Sequence, residues 1–228
     1  MDIKKNLDCD DKYFIPSLSN EYKKINRFLS ESKKLEEKFD KSIVLHANEN
    51  KLSNFSKHFL HMNLGERYHL SNEKEDFCLT NKNGFIFKNF FEIREFELHA
   101  KQTAYKLLSA NFIDFRLLSG VHATITTVLS LTEPGQLILS LNPLEGGHFA
   151  TTSIIKRSER RSQYLKILDC KSEIDINWLK EQCSIEKPSL ILIDDSCPIR
   201  EFSYEKIKEV IPKTTILIYD ASHSLFHK

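Results

Sequence analysis

A carboxylate and an imidazole lie three residues apart near the end of the sequence. Asp220 and His223 follow the apolar run at 216–219, which is rich in β-branched and aromatic residues. Such a run predicts a strand that is buried on both faces. A carboxylate at its end can keep a heteroaromatic nitrogen protonated, and an imidazole can hydrogen-bond a phenolate-like oxygen. The alternative is a helix N-cap or an aspartate satisfied within its own loop, and this stretch alone leaves both interpretations open.

A predicted helix start and a glycine-rich loop supply further candidates. Ser119 and Gly120 open a helix whose free N–H groups and positive dipole end suit a phosphate. The simpler interpretation is a serine that only caps the helix. Gly146 and Gly147 precede His148, so the chain can take an unusual path and present the imidazole for stacking on an aromatic ligand. The alternative is a turn with a solvated histidine.

Two acidic residues and a serine follow another apolar run, at 190–193. We expect Ser196, or one of Asp194 and Asp195, to face the same crevice as the other candidates. Adjacent residues of a strand point to opposite faces, so the two carboxylates are not expected to share a proton or a metal ion. The sequence therefore predicts no metal site.

The candidates lie at the ends of apolar runs that alternate with helical patterns from residue 111 onward. Strands separated by helices predict an α/β fold, in which right-handed crossovers build a mostly parallel sheet flanked by helices. The ligand crevice of such a sheet lies beyond the carboxyl ends of its strands, so the candidates should converge. The predicted strands are 112–118, 136–141, 164–168, 190–193 and 215–219, and the predicted helices begin near Ser119, Gly147, Ile174 and Ser203.

The first half of the chain has mainly helical patterns. Capping residues and apolar stripes predict helices from Ser19 or Asn20 to about 39, over 53–62 and over 90–109. The segment 43–45 is strand-like, and 70–88 is expected to be a surface excursion. We divide the chain into an N-terminal helical arm, 1–42, and a larger domain, 43–228.

Composition narrows the class of protein. The chain has 228 residues, a formal net charge of +1 and 40% hydrophobic residues, so no basic field indicates nucleic acid or an anionic membrane as a partner. The sequence lacks both a secretory signal and an apolar run of membrane-spanning length. Five scattered cysteines without a CxxC pair favour reduced thiols in the cytoplasm.

Five short motifs occur in a distinctive order. They are Ala47-Asn48-Glu49-Asn50, Ser119-Gly120 with Ala123, Glu133-Pro134-Gly135, Gly146-Gly147-His148 and Asp220-Ala221-Ser222-His223. Their order and spacing resemble the serine hydroxymethyltransferase family of fold-type-I pyridoxal-phosphate enzymes. The resemblance implies the large domain of that fold and pyridoxal 5′-phosphate as cofactor. It also implies hydroxymethyl or aldol-type transfer on glycine- or serine-type amino acids, with tetrahydrofolate as an expected co-substrate.

The resemblance also implies residue roles. The cofactor phosphate would be bound by Ser119 and Gly120. His148 would stack on the cofactor ring, Asp220 would pair with the ring nitrogen and His223 with the ring hydroxyl. Ser196 would also contact the ring. Glu49 would handle protons near the substrate hydroxyl and folate, so Glu49, His148 and His223 are the expected catalytic residues. Asn48 and Tyr68 would lie at the substrate. A homodimer is implied by resemblance alone.

The sequence also departs from the family pattern. Val121 and Asn48 replace hydroxyl residues, and His69-Leu70 replaces the expected Tyr-Gly-Gly, which indicates a divergent branch such as the family's transaldolase relatives. The Schiff-base lysine is expected beyond Lys228, together with the arginine that binds the substrate carboxylate. Three interpretations follow: a truncated enzyme, the N-terminal half of a split enzyme with a complementing C-terminal chain, or a non-catalytic binding or assembly module. A nucleotide-binding domain ranks last, because G-x-G-x-x-G and P-loop motifs are lacking.

Overall fold

The structure is a computed structural model that divides into two compact units, Met1–Glu49 and Asn50–Lys228. It describes residues 16–43, 45, 49, 51–66, 78–80, 86–88, 91–168, 173–196, 198 and 202–225. The first unit contains helix α1 (Pro16–Asp40). The predicted boundary between 42 and 43 stays a prediction.

The second unit alternates strands and helices from residue 120 onward. Its helices are α2 (Asn54–Leu60), α3 (Phe91–Leu108), α4 (Gly120–Leu131), α5 (Thr151–Arg157), α6 (Ile176–Ile185) and α7 (Tyr204–Val210), with 3₁₀ turns at Asn63–Glu66 and Pro143–Glu145. Its strands are β1 (Cys78–Thr80), β2 (Ile86–Lys88), β3 (Leu137–Ser140), β4 (Arg161–Tyr164), β5 (Ile167–Leu168), β6 (Glu173–Ile174), β7 (Leu190–Ile193) and β8 (Ile216–Tyr219).

The main sheet has the strand order β4-β3-β7-β8, and every neighbouring pair in it is parallel. The register places Leu139 beside Ile191 and Ile191 beside Leu217. Two short antiparallel pairs, β1 with β2 and β5 with β6, lie outside this sheet. The α/β fold with a mostly parallel sheet, predicted from the alternation of elements, is confirmed.

Strands β3 and β7 form the centre of the core, and every residue in both is buried. Because side chains alternate between faces, Leu139 and Ile191 pack on one face with α6 and α7, while Ile138 and Leu190 pack on the other with Val128 and Ile155. Each fully buried Leu or Ile contributes roughly 1.5–3 kcal/mol. Helices on both faces therefore explain why these strands are continuous apolar runs.

Several predicted elements are wrong in position. The segment 112–118 is not a strand: the Arg116 N–H donates to Asp114 Oδ1 at 2.9 Å, a local turn that competes with strand pairing. The predicted strand 164–168 divides, because Leu165 is the last residue bonded to the sheet, at Ser140, and the chain then pairs with β6. Helix α1 begins at Pro16 rather than after it, since proline suits the first helical turn.

The helix predicted near Gly147 begins at Thr151 instead. Residues 43 and 45 are not in a strand. Within the described residues, the helices are each too short or too polar to cross a membrane.

Candidate functional site

The carboxyl ends of the central strands are joined to the segments that carry the candidate residues. The Asp220 N–H donates to Ile193 O at 2.8 Å, which continues the β7–β8 pairing by one residue. The Ser196 N–H donates to Gly146 O at 2.8 Å, and the His148 N–H donates to Asp194 O at 3.1 Å. The loop after β3, the end of β7 and the end of β8 are therefore neighbours at the carboxyl end of the sheet.

The N-terminus of α4 is capped by Ser119. The Ser119 Oγ accepts a hydrogen bond from the His122 N–H at 3.1 Å, so the hydroxyl proton remains available to donate. In an α-helix the first N–H groups, here those of Gly120 and Val121, have no partner within the helix. Ser119 and Gly120 are both exposed. This end of α4 therefore offers an anion one hydroxyl, backbone N–H groups and the positive dipole end.

The turn after β8 holds Asp220. The Asp220 Oδ1 accepts hydrogen bonds from the Ser222 N–H at 2.9 Å and from the Ser222 hydroxyl. A Cβ placed on Gly120 would lie 3.5 Å from Ser222 Oγ, so the start of α4 is in contact with this turn. Ser222 thereby brings the predicted phosphate cradle, Ser119-Gly120, next to the predicted ring partner, Asp220.

The loop that carries His148 has a backbone path that only glycines allow. Gly146 has a φ of 102°, in the left-handed region. Gly147 pairs with Asp195 in an antiparallel bridge, and a Cβ on Gly147 would lie 2.5 Å from the carbonyl oxygen of Leu141. This pairing holds Gly147 against the chain after β7 and outside a helix, which is why α5 begins only at Thr151.

The imidazole of His148 is half-buried and oriented by its neighbours. Its Nδ1 accepts from the Ala150 N–H at 3.3 Å, so a neutral ring carries its proton on Nε2. The ring stacks on the exposed ring of Phe149, with centroids 4.6 Å apart and an interplanar angle of 30°. A flat, partly exposed imidazole of this kind can stack on an aromatic ligand.

Asp194 is the buried member of the acidic pair, with 2% of its surface exposed. The His148 N–H donates to its Oδ2 at 3.2 Å. Burial raises the pKa of the Asp194 carboxyl, and the nearby Thr151 hydroxyl and the His148 N–H lower it in part. Asp195 is half-buried, so the two carboxyls have different surroundings, as the strand alternation predicts.

The remaining predicted residues lie in different places. Ser196 is half-buried beside Gly146, and His223 is half-buried in the turn after β8. Glu49 is exposed and belongs to the first unit, so its place at the substrate stays a prediction. Asn48 and Tyr68 lie outside the described residues. A cavity of about 560 Å³ opens elsewhere, between residues of β6, α6 and α7.

One residue of the site and one contact within it were not identified from the sequence. Ser222 could have been found, because an aspartate followed two residues later by a serine is typical of a side-chain-capped turn. The contact between Asp194 and His148 joins residues 46 positions apart, and no local pattern indicates it. Among the described residues, no group of three or more His, Cys, Asp or Glu side chains is arranged to hold a metal ion.

A solved structure has the same fold. The L-threonine transaldolase from Pseudomonas fluorescens superposes with a TM-score of 0.78 at 22% identity, covering 92% of this chain and 48% of that one. The fold, with its site at the carboxyl ends of a parallel sheet, is therefore that of the fold-type-I pyridoxal-phosphate enzymes.

The sequence comparisons narrow this class to one family. The family model for serine hydroxymethyltransferase matches residues 78–224, more than half of the chain. The chain belongs to the serine hydroxymethyltransferase family, whose members depend on pyridoxal phosphate. The resemblance noted in the sequence is thus confirmed.

Curated relatives include both transaldolases and hydroxymethyltransferases. The fluorothreonine transaldolase of Streptantibioticus cattleyicolor is 30% identical over 83% of this chain and 30% of its own length. The L-threonine:uridine-5′-aldehyde transaldolase of a Streptomyces species is 31% identical over 61% of this chain and 33% of its own. The serine hydroxymethyltransferase of Helicobacter hepaticus is 27% identical over 64% and 37%. The chain therefore spans about a third of the length of the curated relatives it matches.

The donor set at the strand ends fits the chemistry of pyridoxal phosphate. The start of α4 supplies donors for a phosphate, and Asp220 supplies an acceptor for a protonated ring nitrogen. Within the described part of the chain, Asp220 Oδ2 has no protein partner, so it is the oxygen available for that role. Val121 has no side-chain donor, so among Ser119, Gly120 and Val121 only Ser119 supplies a hydroxyl to this cradle.

Proposed function

We propose that this chain is the cofactor-binding portion of an enzyme that transfers a one-carbon or aldehyde fragment to or from the α-carbon of an amino acid. The observation that carries the proposal is the contact between the start of α4 and the turn of Asp220, made through Ser222. It joins an anion-binding helix end to a carboxylate, the two features that a phosphorylated pyridinium requires. The family model and the curated relatives support the same reaction class.

Each candidate residue has a defined task in this proposal. Ser119 and Gly120 bind the phosphate, while Asp220 holds a proton on the ring nitrogen, with Ser222 fixing the carboxylate in place. His148 stacks on the ring, and its proton on Nε2 is directed away from the Ala150 amide. When bound, the cofactor supplies an electron sink that stabilises a carbanion at the amino-acid α-carbon.

The remaining assignments rest on the family resemblance. His223 and Ser196 would contact the ring hydroxyl and its surroundings, while Glu49 would move protons at the substrate, with Asn48 and Tyr68 beside it. Tetrahydrofolate, a homodimeric or complemented assembly and a cytoplasmic location belong to the same proposal. The buried thiol of Cys183 is free and is in keeping with a reducing compartment.

A second acceptor class is compatible with two of the relatives. Both transaldolases match this chain at 30–31% identity and three serine hydroxymethyltransferases match it at 27–30%, so the identities do not rank the two classes. We therefore include an aldehyde acceptor with a threonine-type donor as the alternative to serine with folate. Both reactions make or break the bond between the α- and β-carbons, so the cofactor site is the same in either case.

Binding of pyridoxal phosphate to the 228-residue chain tests the proposal. We expect saturable one-to-one binding by equilibrium dialysis and a change in the cofactor's visible absorbance. Asp220→Ala should weaken binding by about tenfold to a hundredfold, the worth of a charge-assisted hydrogen bond. Ser119→Ala should also weaken it, and should lower the free energy of unfolding by about 1 kcal/mol through loss of the cap.

The matched control is Glu186→Gln. It removes a carboxylate that pairs with Arg161 at 2.9 Å, at the opposite end of the sheet from Asp220. This variant should bind the cofactor like the parent chain. Absence of binding by a folded parent chain, or equal losses in Asp220→Ala and Glu186→Gln, would refute the proposed site.

A further inference from the structure

We propose that Asp194 is a positioning residue whose buried carboxyl fixes the loop of His148 at the candidate site. The inference rests on the proposed function, because His148 is there the residue that stacks on the cofactor ring. Asp194 itself is 98% shielded from solvent and so is not placed to contact a ligand directly. Its effect would be transmitted through the backbone of residues 146–148.

The backbone contacts make Asp194 the junction of three segments. The His148 N–H is shared between Asp194 O at 3.1 Å and Asp194 Oδ2 at 3.2 Å. The next residues continue the junction, since Asp195 bridges to Gly147 and the Ser196 N–H bonds to Gly146 O. The loop itself lies against the backbone of Leu141, just after β3, since a Cβ on Gly147 would be 2.5 Å from the Leu141 carbonyl oxygen. Asp194 therefore bonds to a loop that lies between the end of β7 and the end of β3.

Burial of the Asp194 carboxyl costs free energy of folding, so stability alone does not explain why an aspartate lies here. In the described part of the chain, Asp194 Oδ1 and Thr151 Oγ1 are both buried and make no hydrogen bond of ordinary geometry, although the Thr151 hydroxyl is close enough to lower the pKa of the carboxyl. Among the described residues, no Lys, Arg or His forms an ion pair with Asp194. A buried acid that is only partly satisfied is unfavourable compared with an apolar residue of the same shape. A gain in positioning accounts for an aspartate at this place.

The contact geometry indicates what the carboxyl controls. Backbone pairing of 146–148 with 194–196 sets the direction of the loop, while the second bond, from the His148 N–H to Oδ2, fixes the peptide plane from which the imidazole extends. The imidazole is further tied by the Ala150 N–H. Removal of the carboxyl should leave the loop paired but let this peptide plane tilt, and the ring with it.

The test compares Asp194→Leu with Asp194→Asn and uses His148→Ala to complete a double-mutant cycle. Asp194→Leu keeps the bulk but removes the acceptor, and we expect cofactor affinity to fall about tenfold, the worth of one hydrogen bond. Asp194→Asn keeps an oxygen for the His148 N–H and should retain affinity within about threefold of the parent. In a His148→Ala background, Asp194→Leu should cause no further loss.

Ser140→Ala serves as the matched control, because Ser140 Oγ is another buried oxygen without a partner in the described residues. It should leave cofactor affinity unchanged. Equal losses from Asp194→Leu with and without His148 would overturn the inference, as would a Ser140→Ala loss of the same size. Asp194→Ser, which is too short to reach the His148 N–H, replaces the leucine variant if that variant does not fold, with the same expectations.

A readout without cofactor separates this inference from the proposed function. Hydrogen exchange of the peptide that contains residues 146–148 should be about tenfold faster in Asp194→Leu than in the parent chain. Unchanged exchange in a folded variant would refute the positioning role even if the cofactor binds. Faster exchange in a chain that binds no cofactor would support the positioning role and refute the proposed function.

Discussion

Gly147 lies where a single methyl group should be excluded, and its replacement by alanine tests the architecture of the candidate site. An ideal Cβ at this position would be 2.5 Å from the Leu141 carbonyl oxygen and 2.7 Å from its carbonyl carbon. Both atoms belong to the backbone, so no side chain can rotate to make room. Overpacking of this kind costs about 1–3 kcal/mol, because the loop or the end of β3 must move.

Two other glycines provide the controls for this substitution. Gly65→Ala meets no described atom within 4 Å and should change stability little or raise it by about 0.4–1 kcal/mol. Gly135→Ala also meets no described atom, but its φ of 81° should cost about 1–2 kcal/mol. The comparison therefore separates loss of glycine flexibility, backbone strain and steric exclusion.

Urea unfolding of the three variants and the parent measures these free energies. We expect Gly147→Ala to be the most destabilised and, in addition, to weaken cofactor binding because His148 is displaced. Gly65→Ala and Gly135→Ala should bind like the parent. The reasoning would be refuted if Gly147→Ala were as stable as Gly65→Ala, since the loop would then have room that the structure does not show.

Two further predictions concern pH and the edge of the sheet. Burial raises the folded-state pKa of Asp194 above its usual value of 3.8, so the favourable contribution of Asp194 to stability is complete below pH 3.8 and is lost as pH rises through the folded-state pKa. The free energy of unfolding of Asp194→Asn, measured in urea at a series of pH values, should therefore fall less over this interval than that of the parent chain. Parallel curves for the two proteins would contradict the assignment. Among the described residues, the apolar strand β8 pairs only with β7, so its other edge is open to pairing. The isolated chain should therefore associate as its concentration rises in sedimentation experiments, and Ile216→Lys should reduce this association. A monodisperse parent monomer would contradict the expectation.

The fold was predictable where burial imposes one pattern on consecutive residues. β7 was predicted at its observed bounds, because four apolar residues in a row are typical of a strand covered on both faces. The cap of α4 was equally readable, since Ser119 Oγ bonds a nearby N–H. The segment 112–118 failed for the converse reason: its alternation resembles a strand, but the bonds between Arg116 and Asp114 are local and the described structure offers it no partner strand.

The candidate site was predictable only in part. The positions of its residues follow from the strand ends, but the contacts between those residues do not. Asp220 and His148 follow strand ends, and strand ends of a parallel sheet share an edge. Their actual connections, through Ser222 on one side and Asp194 on the other, depend on loop paths that are set by residues far apart in sequence. The position of Glu49 relative to this edge stays a prediction.

Backbone N–H and C=O groups at the carboxyl end of the sheet form hydrogen bonds within the protein, and this limits which groups remain for a ligand. Ile193 O accepts from Asp220, Asp194 O accepts from His148, and the Ser222 N–H is taken by Asp220 Oδ1. Among the described residues, the groups left over include the Ser119 hydroxyl, the first N–H groups of α4, the second oxygen of Asp220 and the exposed part of the His148 ring, beside the side chains of Ser196 and His223. Because this set is small and each member has a separate role, single substitutions should remove one function at a time, and the non-additivity expected for Asp194 with His148 should stand out against additive losses elsewhere.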